Sequence, residues 1–211
     1  MTLDEIEAQV LRELGDLNSL EVFWKQTDIQ NWIYEAELKI ARAANLFKTK
    51  STSYTSVAGQ ANYDAPSRYL QIERVTFNGY IIPSITFEEL QQIDDQPDSA
   101  SNASVPSYWY YRDDDIWFYP PPVGGISFHI HNTNYPTKLT TGASSPTVPV
   151  EYHPLLVFYC LQRGKEMEEE TQDAIYWATR FESELQALKS EAELDGQDDF
   201  NSIRLVPGDD W

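Results

Sequence analysis

The chain is poor in the residue types on which most reactions are built. It has one cysteine and three histidines in 211 residues. A single cysteine excludes an intramolecular disulfide and a four-cysteine zinc site. Basic side chains are scarce: 15 Lys and Arg stand against 34 Asp and Glu, a formal net charge of −19. Such a chain does not grip nucleic acid through phosphate neutralisation. No run approaches the roughly 20 continuous apolar residues of a membrane span. Met1-Thr2-Leu3-Asp4-Glu5 lacks the basic-then-apolar layout of a secretory leader. A soluble protein made in the cytosol, with no membrane contact, is expected. There is no glycine-rich phosphate loop, no Gly-x-Ser-x-Gly elbow and no His-Glu-x-x-His pair. The reading is a protein that is not an enzyme, with no catalytic residues, no cofactor and no metal.

What is present is enough for a core: 41% of residues are hydrophobic and 13% aromatic. The acidity is uneven. Residues 165–211 carry 14 acidic and 4 basic side chains, whereas residues 1–50 carry 9 and 6. Two explanations stand side by side, solubility and the lining of a channel through which DNA slides without sticking. Cys160 lies in the apolar run Leu155–Leu161 and reads as a buried, inert thiol.

Helical patterning occupies both ends. Thr2 and Glu5 have capping-box spacing, followed by Leu3, Ile6, Val10 and Leu14 and a stop at Gly15. A second helix is predicted after Thr27-Asp28, with Ile29, Trp32, Ile33, Ala36, Ile40, Ala43, Ala44 and Phe47 in one stripe and a Glu35–Lys39 pair on the outer face. Near the other end, Pro154 suits a first turn, and Leu155, Leu156, Tyr159, Cys160 and Arg163 share a face. The acidic run Glu166–Glu170 either extends that helix or breaks it. A last helix follows Thr171 with Ala174, Trp177, Ala178, Phe181, Leu185, Leu188 and Ala192 in phase.

The middle reads as strands. Residues 51–57 are β-branched and polar. Residues 69–77 alternate after a slip between Ile72 and Val75. Asn78-Gly79 then separates two apolar runs, the strongest short hairpin signal, because both residues accept positive φ. Thr86 and Glu89 form a second capping-box pattern, and residues 94–105 read as an exposed loop. Residues 108–119 form an aromatic hairpin around Asp113-Asp114-Asp115, closed by three prolines. Ile126, Phe128 and Ile130 alternate on one more strand.

The expected fold is α+β. N- and C-terminal helices form an antiparallel-type bundle, and a β-rich lobe, sandwich- or barrel-like, is inserted between them. The expected boundaries are 1–50 for the first helices, 51–149 for the lobe, 150–194 for the closing helices and 195–211 for an extended acidic and apolar tail. That tail carries Phe200, Ile203, Leu205, Val206 and Trp211, which need something to bury them and are candidates for docking on a partner. Tyr108, Trp109, Tyr110, Trp117 and Tyr119 are candidates for a subunit or tail interface, where such rings are enriched. His129 and His131 share one side of a strand, half of a metal site, and read as a polar strand face. The three aspartates 113–115 lack the spaced ligands of a calcium loop and read as a solvated turn.

The order of these features resembles the head-to-tail adaptor proteins of phages, the group that includes the tail tubular A and gatekeeper proteins of short-tailed phages. The carrying residues are Ile29–Ala36 with Ile40–Ala43, Tyr63–Leu70 leading to Val75–Gly79 and Glu88–Leu90, and Pro106–Tyr110 with Ile116–Pro122. Tyr135-Pro136, Val148-Pro149, the Tyr152–Arg163 helix and the Asp173–Leu188 helix complete the set. It covers roughly residues 25–190. The first strand departs from the pattern, with Asp64-Ala65-Pro66 where a Leu-Pro pair would be typical, and the acidic tail lies outside it. The resemblance implies a homo-oligomeric ring, usually twelve-fold, assembled in the host cytoplasm and resident in the neck of the virion. It implies the portal protein and the next tail component (nozzle or tail tube) as partners, with genomic DNA passing through during ejection. The alternative is a carbohydrate-binding or receptor-contacting tail module that uses the hairpin 108–119.

Overall fold

The structure, a computed structural model, describes residues 1–16, 23–45, 47–50, 53–95, 97 and 103–201, the side chains of Lys50 and residues 193–201 excepted. In chain order its elements are α1 (Leu3–Glu13), α2 (Gln26–Ala44), β1 (Lys48–Lys50), β2 (Tyr54–Thr55), β3 (Asn62–Asp64), β4 (Tyr69–Phe77), β5 (Tyr80–Ile82), α3 (Phe87–Ile93), β6 (Tyr108–Arg112), β7 (Asp115–Tyr119), β8 (Ser127–Asn134), α4 (His153–Met167) and α5 (Thr171–Asn201). The fold is α+β, with N- and C-terminal helices flanking two antiparallel sheets. The chain divides into two compact units. One runs from Met1 to Phe47 and resumes at Pro136; the other is Lys48–Tyr135.

In the helical unit, α1, α2, α4 and α5 pack on one another. Both halves of the first capping box form: Thr2 Oγ1 accepts from Glu5 N at 3.3 Å, and Glu5 Oε2 accepts from Thr2 N at 2.9 Å. Helix α2 starts at Gln26, ahead of the expected Thr27-Asp28 start. Asp28 falls inside the first turn, where its charge opposes the positive helix end. Asn45, at φ 49°, ends the helix in a left-handed cap. Helix α4 is the central element. Leu155, Leu156, Val157, Tyr159, Cys160, Leu161 and Gly164 are all buried, so it is covered on more than the one face that its periodicity marked. The acidic run breaks the helix: α4 ends at Met167, Glu169 takes φ 61°, and α5 begins at Thr171. Helix α5 runs to Asn201, past residue 195, where the expected tail begins.

The segment 136–149 belongs to the helical unit, not to the strands with which the composition grouped it. Leu3 N donates to Ser144 O at 2.9 Å and Asp4 N to Gly142 O at 3.0 Å. A Cβ on Gly142 would meet the exposed Asp4 carboxylate, which would have to turn aside. Val148 is buried in the helical core.

The β unit is a two-sheet sandwich. One sheet has the order β1-β8-β4-β5, with β2 also on β8; the other is β3-β7-β6. Asn78 and Gly79, at φ 52° and 83°, make the tight turn between β4 and β5. Register shifts between Tyr69 and Gln71 and between Ile72 and Arg74 account for the slip in the alternation of β4. The inner faces meet in an aromatic cluster of Tyr63, Phe77, Phe118 and Phe128. Thr86 and Glu89 form the second capping box, at the start of α3.

Candidate docking surfaces

Phe128 shows how the β unit spends its rings. Its centroid is 5.1 Å from Tyr54, 4.8 Å from Tyr63 and 5.1 Å from Phe118. The hairpin β6–β7 contributes to the same interior: Trp109 is buried in the aromatic core. Tyr110 is also buried, stacked on Trp117 and tilted against Phe87. Tyr108, Trp117 and Tyr119 are half-buried. Trp117 Nε1 donates to Arg112 O at 3.1 Å, and Tyr119 Oη donates to Asp94 at 2.8 Å. A sugar platform needs open ring faces, and Trp109 and Tyr110 do not offer theirs. The turn itself is Asp113-Asp114, both at positive φ, while Asp115 lies in β7 opposite Arg112. The Arg112 guanidinium sits 4.4 Å over the Phe87 ring and 3.3 Å from Asp113.

On the hairpin itself Tyr111 is exposed; further outward apolar residues of the β unit lie elsewhere. Tyr80 and Ile81 are exposed on β5, an edge strand, and Val105 is exposed beside it. With Phe77, Ile82, Pro106 and Ile126 they line a largely apolar concavity of about 320 Å³. Ile81 is the non-hydrogen-bonded partner of Thr76, so its backbone groups face away from the sheet.

Cys160 is fully buried, and burial pushes its thiol well above the ordinary range. His153 lies in the helical unit, apart from His129 and His131 on β8. Its Nε2–H donates to Val148 O at 2.9 Å, its Nδ1 lies 2.9 Å from the Met1 amine, and burial lowers its pKa. Among the described residues no three His, Cys, Asp or Glu side chains gather to hold a metal. Among them, too, no helix is long and apolar enough to cross a membrane. Of the expected tail, residues 202–211 and the side chains of residues 195–201, Phe200 among them, lie outside the described residues. Those positions therefore gain no geometry.

Two features escaped the sequence. Glu37 sits in the middle of the α2 stripe and is fully buried. Its Oε1 accepts from Thr147 N at 2.7 Å, while its Oε2 is buried without a hydrogen-bond partner. A polar residue in phase with an apolar stripe was the available signal. Phe23 is 72% exposed, and Ile175, Tyr176 and Met167 are exposed around the α4–α5 turn.

The fold is a helical bundle whose two halves are separated in sequence by an inserted antiparallel sandwich, with apolar residues exposed on both units. Residues 1–204 match the family model of the SU10 adaptor protein. The chain belongs to the SU10 adaptor protein family and is a phage adaptor protein, a structural component of a virion. No curated protein matches it.

Proposed function

We propose that the protein is a head-to-tail adaptor that forms a ring, twelve-fold, joining the portal to the next tail component and enclosing the DNA channel. The observation that carries this reading is the family match, which spans residues 1–204. The architecture supports it by giving the chain two separately built units to offer to two neighbours. Charge supports it as well. A lumen lined by part of this −19 surface repels passing phosphates, so DNA slides without binding. Phe200, Ile203, Leu205, Val206 and Trp211, beyond or at the end of α5, dock on the portal. Tyr108, Trp117 and Tyr119, half-buried in the monomer, complete their burial against the next tail component.

The test is negative-stain microscopy and mass photometry of the purified chain, alone and with its portal ring. Rings that form on the portal are the expected result; a persistent monomer that ignores the portal refutes the reading. Deleting residues 202–211 is expected to weaken portal capture by about tenfold or more, since a few buried anchors dominate such contacts. The deletion leaves α5, Thr171–Asn201, whole, so the truncated chain should still melt cooperatively. Undiminished capture by the truncated chain removes the docking role from the tail.

A further inference from the structure

One end of the helical unit carries a projecting ring and, near it, a concavity of opposite character. Phe23 is 72% exposed, although its neighbour Trp24 is buried beside Trp32. The backbone beneath it is pinned: Asp16 Oδ2 accepts from Phe23 N and from Trp24 N, each at 3.0 Å. An aromatic ring held in water on a fixed backbone has the character of an interface anchor. Lys25 follows, exposed and without an ion-pair partner among the described residues.

The concavity, about 260 Å³, lies between the end of α4 and the first turns of α5. It is lined by Glu166, Glu169, Thr171, Ala174, Ile175 and Ala178. Its floor is apolar, and Ile175 is 56% exposed. Its mouth is acidic. Residues 163–173 hold five carboxylates against Arg163 and Lys165. Both cations are already engaged, Arg163 with Glu166 and Lys165 with Glu168 and Glu170, at 2.8 Å in each case. The Glu169 carboxylate has no partner among the described residues.

We propose that Phe23 and Lys25 of one copy dock in this concavity of a neighbouring copy, the ring on the apolar floor and the ammonium at the acidic mouth. The inference rests on the ring reading above and names the contact that would build the ring. The two surfaces differ, so each copy can receive one neighbour and dock on another. Such a head-to-tail contact makes a ring when its rotation closes, and the ladder of linked species in the test below separates it from a reciprocal two-fold dimer. They also lie at one level of the bundle. The Leu14 side chain fills the space beside Gly164, its Cδ2 2.7 Å from where a Cβ on that glycine would stand. The end of α1, which leads to Asp16 and Phe23, is therefore beside the end of α4, which leads to Glu166. Rotation about an axis running along the bundle keeps height unchanged, so features at one level can meet around the ring.

The test is disulfide trapping in the full chain. Cys160 is buried and does not compete. The double variant Phe23→Cys/Ile175→Cys, oxidised alone and on the portal ring, is expected to give a ladder of linked dimers, trimers and higher species. Phe23→Cys alone and Ile175→Cys alone should stay unlinked. Phe23→Glu, which sets a carboxylate against an acidic mouth, is expected to raise the concentration for half-assembly about tenfold or more. Its melting curve should be unchanged because the side chain is exposed. If the wild type forms rings while the double variant stays monomeric or links only within one chain, this contact is wrong and the ring reading stands. If the wild type forms no ring even on the portal, both fall. Loss of binding to a different protein in Phe23→Glu, without loss of self-association, also overturns the contact.

Discussion

Phe128→Ala is expected to destabilise the β unit by about 3–5 kcal/mol, the range for emptying a large aromatic from a packed core. Phe128 is fully buried on β8, the strand that pairs with β1, β2 and β4. Its ring contacts Tyr54, Tyr63, Phe77 and Phe118, with centroids 4.8 to 6.3 Å away. Removing it leaves a void at the meeting point of both sheets. Two-sheet sandwiches have no other interior to collapse into, so relaxation recovers little. The loss is comparable to the whole stability of many small domains. The β unit should therefore lose its near-ultraviolet aromatic signal and become sensitive to protease between residues 48 and 135. Tyr80→Ala is the control: Tyr80 is 76% exposed on the edge strand, and its loss should stay within about 0.5 kcal/mol. A Phe128→Ala chain that melts within 1 °C of the wild type would show that the aromatic cluster does not hold the sandwich together.

Glu37 should set a pH dependence of the helical unit. Burial raises its carboxyl above the ordinary 4.5, partly offset by hydrogen bonds from the Thr147 and Val148 backbone. A raised folded-state pKa means that the folded chain binds the proton more tightly than the unfolded one. The contribution of Glu37 is therefore fully present below pH 4.5 and is lost as pH rises through the folded value. Glu37→Gln keeps an oxygen for Thr147 N and cannot ionise. It should match the wild type at low pH and exceed it at pH 7, so that the difference between the two opens above pH 4.5. Glu37→Leu removes the acceptor as well. It orphans the Thr147 N–H and should be about 1–3 kcal/mol less stable than Glu37→Gln at every pH. Urea midpoints measured from pH 4.5 to 7.5 decide this. Parallel curves for wild type and Glu37→Gln would mean that Glu37 carries no linked proton.

Much of the local structure was legible because it depends on neighbours in the chain. Thr2 with Glu5 and Thr86 with Glu89 made the capping boxes that their spacing required. Asn78-Gly79 made its turn because those residue types tolerate positive φ. Even the slip in β4 could be seen, since Ile72 and Val75 fall out of alternation where the ladder shifts. The adaptor family was legible from the order of these weak signals, none of which identifies it alone. The boundary at 136–149 was not. Its Thr, Gly, Ser and Pro composition fits any loop, and only contacts with residues more than 100 positions away, at Asp4 and Glu37, draw it to the helices.

The sequence by itself determined the α+β order, the helix stripes, the tight turns and the acidic balance, because periodicity, turn chemistry and charge are local or additive properties. The tertiary structure decided which side chains are used up inside. It placed Trp109 and Tyr110 in the interior and left Phe23, Tyr80 and Ile175 outside. It buried Glu37 against the returning loop and covered α4 on more than one face. These are matters of burial, and burial depends on which distant segments pack against a residue; spacing along the chain puts Glu37 in phase with the apolar stripe but does not name the loop that covers it.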